Sequence, residues 1–260
     1  MQTYGVSQHS FWVASYGIMA AMKLVDRTLP DPVRNLACDE ALLELCEAGF
    51  DHDILRFWEP REHFVVLGYS SRIRADVELS RAQRLGIPVF RRCSGGGTVL
   101  QGPGCLNFSL VLRLAGRPAL DTITGTTRHI MRAHQQALAP VAGSEVQVEG
   151  LSDLARGGLK FSGNAQRRKR RAVLFHGTFL LNLDLALVAE LLPVPSRQPP
   201  YRQNRPHQEF LTNLRMPAQS LKEALVRVWQ ASTPLEALPM KRIEELRRDV
   251  YGTRAWTYRS

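Results

Sequence analysis

A glycine-rich segment between two strand-like stretches constrains the fold of this chain more than any other feature. It runs from Phe90 to Ser109, reads FRRCSGGGTVLQGPGCLNFS, and has three consecutive glycines at Gly95–Gly97. Glycine has no Cβ and accepts positive φ, so successive N–H groups can turn toward one anion and form a nest for phosphate. Arg91 and Arg92 precede the glycines and offer a planar fork for phosphate oxygens. The segment predicts a phosphate-binding loop, although a plain turn between strands is the alternative for the glycines alone.

Short strand-like runs alternate with helical patterns through most of the chain. Residues 35–46 have apolar side chains at helical spacing, whereas ILRFW at 54–58 and HFVVLG at 63–68 are rich in β-branched and aromatic residues. Further strands are predicted at 88–92, 106–114, 146–149, 160–166 and 172–183. Further helices are predicted at 77–86, 126–138 (ending before Pro140), 184–192, 221–230 and 241–250. The order predicts one mixed α/β domain of the α+β type.

The charge balance points to an anionic partner. The chain has 34 Lys and Arg against 24 Asp and Glu, a formal net charge of +10, which attracts phosphates, nucleic acids or acidic proteins. Part of this charge lies in the run Arg167–Arg171, which is predicted as the solvated tip of a β-hairpin. No aromatic residue interleaves with the run, so nucleic acid is not expected as a partner.

Cysteine content and hydropathy favour a cytoplasmic protein that does not enter the membrane. Four cysteines in 260 residues are too few for a disulfide scaffold, and none forms a CxxC metal motif: Cys38, Cys46, Cys93 and Cys105. The apolar stretch at 11–22 is far shorter than the roughly 20 residues of a membrane span. Residues 1–21 are predicted as a poorly ordered leader, and residues 22–260 as a single domain.

A second informative segment lies at 153–178 and reads DLARGGLKFSGNAQRRKRRAVLFHGT. An ammonium held on a strand, as at Lys160, can neutralise negative charge that develops between a carboxylate and a phosphate. Taken alone, Lys160 is more simply a surface lysine and His176 a hydrogen-bonded core histidine. The surrounding motifs are needed to choose between these interpretations.

Four motifs, in this order and spacing, resemble the lipoate-protein ligase A family: RRCSGGGTV, GPGCLNFS, KFSGNAQ and HGTFLLNLDL. This family shares a superfamily with octanoyltransferases and biotin protein ligases, and the resemblance runs from about Met22 to Leu214. Biotin ligases carry GRGR-type arginines between the loop glycines, which this chain lacks. The resemblance implies a biotin/lipoate ligase catalytic domain with mixed, largely antiparallel sheets flanked by helices.

The resemblance also implies roles for individual residues. Lys160 matches the catalytic lysine, which contacts both the acyl carboxylate and the α-phosphate. The implied nucleotide-binding residues are Arg92, Ser94, Gly95, Gly96, Gly97, Thr98, Val99, Leu100 and Lys160. The implied acyl-binding residues are Leu67, Gly68, Tyr69, Arg92, Lys160, Gly163, His176 and Gly177. Asp153 is placed as a metal ligand.

The implied reaction is the attachment of lipoate or octanoate to a lysine through an acyl-adenylate made from ATP with Mg²⁺. The expected acceptors are lipoyl domains or glycine-cleavage H-like proteins. Ligases of this family that work alone carry a C-terminal accessory domain, which is not expected here because the chain ends at Ser260. A small accessory protein is the expected substitute.

Two other functions remain open. Some relatives move an octanoyl or lipoyl group between carrier proteins without ATP, through a cysteine thioester. No cysteine follows Cys105, so Cys93 and Cys105 are the candidate nucleophiles, although a buried structural thiol is the simpler interpretation of each. ATP-dependent ligation is therefore preferred, thioester transfer is second, and a non-catalytic subunit or binding protein of the same fold is the third alternative.

A Pro-rich segment after the HGT motif also admits two interpretations. It includes PPYRQNRPHQEFLTNL and carries Tyr201, Arg202, Arg205 and His207. The segment is predicted either to cover the adenylate or dock the acceptor, or simply to wrap the edge of the sheet.

Overall fold

The computed structural model describes residues 22–259, which form an eight-stranded sheet and a three-stranded sheet with helices packed around them. The strands are β1 Lys23–Asp26, β2 Ile54–Trp58, β3 Phe64–Leu67, β4 Val89–Arg91, β5 Val99–Gln101, β6 Cys105–Arg113, β7 Val146–Glu149, β8 Asp153–Arg156, β9 Leu159–Arg168, β10 Ala172–Leu180 and β11 Thr233–Pro234. The helices are α1 Pro32–Glu47, α2 Ile73–Asp76, α3 Leu79–Arg84, α4 Ile123–Ala142, α5 Leu185–Leu191, α6 His207–Phe210, α7 Ala218–Trp229, α8 Met240–Leu246 and α9 Arg254–Thr257. The leader predicted at 1–21 lies outside the described residues.

Most strand pairs are antiparallel. The large sheet has the order β11-β1-β2-β6-β10-β9-β8-β7, and within the described chain only its β11-β1 and β1-β2 pairs are parallel. The small sheet has the order β4-β3-β5, with β3 parallel to β4 and antiparallel to β5. The predicted fold class, mixed and largely antiparallel sheets flanked by helices, is confirmed.

Helices cover both faces of the large sheet. Helix α1 packs on one face with α8, in a buried apolar cluster that includes Leu42, Trp58 and Leu174. Helices α4 and α7 pack on the other face, around Phe108 and Phe179. This separation follows from the alternation of side chains along each strand. Within the described residues, no helix has the length and apolar character needed to cross a membrane.

The predicted end of the fourth helix is wrong. Helix α4 continues through Pro140 to Ala142 instead of ending before the proline. Proline removes one N–H donor from the helix, but Pro140 lies in the exposed last turn, where water can satisfy the carbonyl that loses its partner.

The basic run is only partly a turn. The predicted hairpin is present, because β9 pairs with β10 in antiparallel register, but Arg167 and Arg168 belong to β9 and the turn holds only residues 169–171. Helix α3 is shorter than the predicted 77–86, and α8 is followed by a wide π-type turn at Arg247–Tyr251 inside the predicted 241–250. Four short strands, β1, β5, β8 and β11, were not predicted, because strands of two to four residues carry little periodicity.

Candidate active site

The glycine loop lies between β4 and β5 and packs against the end of β3. The backbone N–H of Tyr69 donates to the carbonyl of Ser94 over 2.8 Å. A Cβ on Gly68 would lie 2.0 Å from the carbonyl oxygen of Gly96, so this approach requires glycine at position 68. Within residues 22–259, the N–H groups of Gly95, Gly96 and Gly97 donate to no protein acceptor. Three successive free donors on an exposed loop are the arrangement that binds an anion.

The guanidinium groups of the two arginines before the loop donate their hydrogen bonds to other parts of the protein, so neither is free to bind phosphate through two parallel N–H groups. Arg92 is buried and donates to Ser94 Oγ and to the carbonyls of Gly95 and Gly97. Burial lowers the pKa of Arg92 to about 10. Arg92 therefore shapes the loop from below, and a direct contact with nucleotide stays a prediction.

Arg91 is occupied even more completely. Its guanidinium donates to the carbonyls of six residues: Gly68, Tyr69, Ser71, Trp256, Thr257 and Arg259. The expectation that Arg91 could bind phosphate is wrong for this arrangement, because none of its faces is left for a ligand. Arg91 instead ties the turn after β3 to the segment containing α9.

A buried line of polar side chains runs beneath the glycine loop. Ser94 Oγ lies 2.6 Å from His176 Nε2, and His176 Nδ1 lies 2.9 Å from Asp39 Oδ2. The other carboxylate oxygen of Asp39 accepts from Arg56 over 2.6 Å. Because a carboxylate only accepts, His176 donates from Nδ1 to Asp39. In the neutral ring, Nε2 is then the acceptor for the hydroxyl proton of Ser94. The line connects α1, β2 and β10 to the glycine loop.

The charges in this line are balanced. Burial raises the pKa of Asp39, but the Arg56 guanidinium and the contact with His176 outweigh it and hold the pKa below its usual value. Arg56 and Asp39 were not recognised from the sequence, because they are 17 residues apart and neither stands in a glycine-rich motif. A Lys or Arg inside an otherwise apolar strand such as ILRFW is the signal that could have found them.

Lys160 lies near the start of β9 and is paired with Asp153. Its ammonium is 2.8 Å from Asp153 Oδ1, and the hydroxyl of Tyr201 donates to Asp153 Oδ2 over 2.8 Å. A Cβ on Gly163 would lie 2.8 Å from Lys160 Nζ, so the absence of a side chain at residue 163 lets the lysine lie across the strand in this position. The three side chains form one polar cluster of Lys160, Asp153 and Tyr201.

Two small residues of β9, Gly163 and Ala165, form a shallow floor between this cluster and the glycine loop. Because they are two positions apart, Gly163 and Ala165 lie on the same face of β9, about 7 Å from each other along the strand. A Cβ on Gly96 would lie 3.5 Å from that of Ala165, so the loop packs over this floor. Arg167, the next residue on that face, places its guanidinium 5.4 Å from the ring of Tyr69. Lys160 and Arg167 are thus cations at the two ends of one small-residue floor, and Arg167 was missed because it was assigned to the hairpin tip.

Not every predicted residue faces this floor. Leu67 and Leu100 are buried in an apolar cluster under the small sheet with Cys105. Gly177 is turned away from His176 and meets Asn164 on the other face of the sheet, where a Cβ would lie 1.7 Å from Asn164 Oδ1.

Two predicted nucleotide-binding residues after the glycines lie at the edge of the site. Val99 is partly exposed on β5, and Thr98 lies within 3.3 Å of Ser71 and Asp76. The floor therefore gathers Lys160, Gly163, the glycine loop and Tyr69, while these other assignments stay predictions.

The lipoyl protein ligase A/B catalytic domain family matches residues 31–231, which include every element of the floor, the loop and the buried polar line. This chain belongs to that family.

Relatives in the lipoyl protein ligase A/B family carry two kinds of name. A putative lipoate-protein ligase A from Aeropyrum pernix is 33% identical over 79% of this chain and 73% of its own length. An octanoyltransferase LipM from Oceanobacillus iheyensis is 25% identical over 87% of this chain and 90% of its own. The chain spans about half the length of two other curated relatives that it matches, probable lipoate-protein ligases A from Mycoplasma pneumoniae and Mycoplasma genitalium.

The fold is that of solved lipoate ligases. A structure of a bi-partite lipoate protein ligase from Thermoplasma acidophilum, studied with its E2 lipoyl domain, superposes with a TM-score of 0.77 at 24% identity and covers 93% of this chain and 97% of that one. The family match and this superposition confirm the resemblance predicted from the four motifs.

The thiols of this family member are poor nucleophiles. All four cysteines are buried, and burial raises the pKa of Cys93 and of Cys105 to about 12. A thiol of this kind is almost fully protonated at neutral pH, and the thiolate is the reactive form.

We therefore expect Cys93→Ser and Cys105→Ser to keep acyl attachment within about twofold of the unsubstituted protein. The native thiols should also resist iodoacetamide at pH 8 while the protein is folded, which mass spectrometry of the alkylated peptides measures. Fast alkylation of Cys93 or Cys105, together with lost activity in the serine variant, would contradict this expectation.

The Pro-rich segment does more than wrap an edge. Tyr201 reaches Asp153, Arg205 donates to the carbonyl of Gly158, and the N–H of Thr212 donates to the carbonyl of Lys160. Arg202 and His207 are buried, and Arg202 lies 4.6 Å from the ring of Phe210. The segment lies along β8 and β9 and also contributes Tyr201 to the Lys160 cluster.

The acidic residue predicted as a metal ligand is already engaged. Both oxygens of Asp153 are within hydrogen-bond distance of Lys160 or Tyr201. Among residues 22–259, no group of three or more His, Cys, Asp and Glu side chains could hold a metal ion. These residues do not form a resident metal site in this arrangement, so Mg²⁺ binding at Asp153 stays a prediction.

Proposed function

We propose that the protein attaches lipoate or octanoate to a specific lysine of an acceptor protein through an acyl-adenylate made from ATP. The observation that carries the proposal is the floor between Lys160 and the glycine loop, with an ammonium at one end and three free N–H donors at the other. The family match and the ligase relatives support lipoyl attachment.

In the first half-reaction, an oxygen of the acyl carboxylate attacks the α-phosphorus of ATP and pyrophosphate leaves. The free N–H groups of Gly95–Gly97 bind phosphate oxygens, and Lys160 turns from Asp153 toward the charge that gathers between carboxylate and phosphate. Mg²⁺ would enter with the nucleotide phosphates, whose charge it neutralises. Tyr201 keeps Asp153 in place while Lys160 moves.

In the second half-reaction, the neutral amine of the acceptor lysine attacks the acyl carbonyl of the mixed anhydride. The C–O bond to phosphate breaks, AMP leaves, and the amine loses a proton as the amide forms. Lys160 now stabilises the negative charge that returns to the phosphate. The apolar part of the acyl group would extend past Ala165 toward His176, its neighbour across the β9-β10 pair.

The acceptors proposed are lipoyl domains or glycine-cleavage H-like proteins. The Thermoplasma ligase was studied with an E2 lipoyl domain and is bi-partite, which supports both a lipoyl-domain acceptor and a small accessory protein as partner. Neither partner is established for this chain.

Transfer from an acyl carrier protein without ATP is the second candidate, because octanoyltransferases are among the relatives. That reaction proceeds through a thiolate, whereas every cysteine of this chain is buried. The burial of the thiols favours the ATP-dependent route.

The test is the intact mass of an apo lipoyl domain after incubation with the protein. One reaction contains lipoate, ATP and Mg²⁺, and the other contains octanoyl carrier protein without ATP. We expect the mass of a lipoyl group to be added only with ATP. Modification only from the carrier would overturn the ATP-dependent route, and modification in neither reaction, with or without an accessory protein, would overturn the proposed function.

A further inference from the structure

We propose that a set of arginines beside the glycine loop is the docking surface for an acidic face of the acceptor protein. This arginine rim consists of Arg72, Arg74, Arg254 and Arg259. The proposal rests on the proposed function, because it names the surface over which the acceptor lysine reaches the adenylate.

The rim has two halves, Arg72 and Arg74 in the turn after β3 and Arg254 and Arg259 around α9. A single buried guanidinium, that of Arg91, holds these two segments together. Arg91 donates to the carbonyl of Ser71, next to Arg72, and to the carbonyls of Thr257 and Arg259. One guanidinium spans only a few ångströms, so the turn after β3 and the segment with α9 are neighbours. The same turn packs on the glycine loop through Gly68.

Aromatic rings order the arginines of the second half. The guanidinium of Arg259 lies 4.0 Å from the centre of the Tyr69 ring and 5.1 Å from that of Trp256. Arg254 lies 5.0 Å from the ring of Tyr258. Arginine stacked on an aromatic ring loses little further entropy on binding, and arginine with Tyr and Trp is enriched in protein interfaces.

The rim carries uncompensated charge. Within residues 22–259, none of its four guanidinium groups forms an ion pair with a carboxylate. Some other surface arginines are paired, as Arg34 and Arg247 are with Glu244 and Arg242 is with Glu44, so what distinguishes the rim is its place beside the glycine loop. Part of the net charge of +10 is thus concentrated where a partner must approach the loop.

The chemistry of the second half-reaction selects an acidic protein as the partner. The attacking group is a lysine side chain, and it must approach a site that already holds Lys160 and Arg167. The side chain approaches as an ammonium before it loses the proton that prevents attack, and carboxylates beside it bring compensating charge that pairs with the rim. The acceptor is therefore recognised by acidic residues around its target lysine.

The test reverses charge at two exposed arginines at the start of α2, its N-cap Arg72 and Arg74, with Arg72→Glu/Arg74→Glu. The matched control is Arg128→Glu/Arg132→Glu, an exposed pair on α4, on the opposite face of the large sheet. The KM for an apo lipoyl domain is measured from lipoyl transfer at about 50 and about 300 mM salt, because screening weakens rim contacts. ATP–pyrophosphate exchange with lipoate, in the absence of acceptor, measures adenylate formation separately.

We expect the rim variant to raise the KM for the lipoyl domain about tenfold at low salt and to remove most of its salt dependence. Exchange should be unchanged, and the α4 variant should behave like the unsubstituted protein. A lipoyl domain with lysines in place of the carboxylates nearest its target should regain affinity for the rim variant.

Three outcomes would overturn the proposal. One is an unchanged KM for the lipoyl domain, and another is an equal effect of the α4 variant. The third is a raised KM for ATP with no change for the acceptor, which would assign the rim to the nucleotide. Absence of exchange and of transfer in the unsubstituted protein would instead refute the proposed function, so the two failures are distinguishable.

Discussion

Replacing Lys160 with alanine should abolish acyl-adenylate formation, lowering the exchange rate by about a hundredfold to a thousandfold or more. The ammonium is the one lysine side chain at the floor of the site, and it would be lost from the place where negative charge gathers. The fold should survive, because the Lys160 side chain is 25% exposed and its ion pair with Asp153 is partly solvated. Pyrophosphate exchange and the thermal midpoint measure the two effects on the same sample.

Lys169→Ala is the matched control for this variant. Lys169 is also next to β9, is paired with a glutamate, and has a side-chain exposure of 27%. Its removal should leave exchange within about twofold, since a partly solvated pair of this kind contributes little. If Lys160→Ala retained full exchange, or if both variants lost it equally, Lys160 would have no special role.

Replacing Asp39 with asparagine should lower the free energy of unfolding by about 3 kcal/mol, because the buried Arg56 guanidinium loses its counter-ion. The substitution should also lower kcat for lipoyl transfer about tenfold, because it moves the ring proton of His176 from Nδ1 to Nε2. Arg56 requires an acceptor, so the asparagine oxygen faces it and the amide N–H faces His176 Nδ1. Nε2 of His176 then carries the proton and no longer accepts from Ser94, which disturbs the glycine loop.

The pH dependence of the same variant has a defined sign. The pKa of Asp39 is below its usual value in the folded protein, so its contribution to stability is present above the unfolded pKa of about 3.9 and is lost as the pH falls below it. The stability difference between the unsubstituted protein and Asp39→Asn should therefore shrink below about pH 4 in urea titrations. A constant difference from pH 7 to pH 3 would contradict this account.

Asp53→Asn separates the two effects of the Asp39 substitution. Asp53 is equally buried and pairs with Arg117 over 2.7 Å, but it is not connected to the glycine loop. It should cost comparable stability and leave kcat unchanged. Loss of activity in both variants would show that general destabilisation, not the line to Ser94, accounts for the Asp39 effect.

Local signals in the sequence found most of the fold. Helix α1 and strands β2, β6 and β10 are long or strongly patterned, and their predicted positions agree with the structure to within a few residues. Strand β8 was missed because Asp153–Arg156 has four residues and is recognisable only when β9 lies beside it. Arg167 was misplaced because charge alone does not distinguish a strand from a turn.

The site could be predicted only where its residues share a motif. Ser94 and the glycines stand in one loop, and Lys160 and Gly163 in one strand. The line beneath them joins residues that are 82 and 137 positions apart, Ser94 to His176 and His176 to Asp39. Nothing local in the sequence specifies such contacts, because they arise only when α1 packs on the sheet.

The hydrogen bonds from Arg91 to six carbonyls have a consequence for how the protein is made. Three of the partners of Arg91, the carbonyls of Trp256, Thr257 and Arg259, are 165, 166 and 168 residues further along the chain. At the usual pace of about 5–20 residues per second, a ribosome needs roughly ten to thirty seconds to add them. Throughout that interval a nascent chain carries Arg91 with half its carbonyl partners unmade, so the turn beneath the glycine loop reaches its final form only after Arg259 has been added.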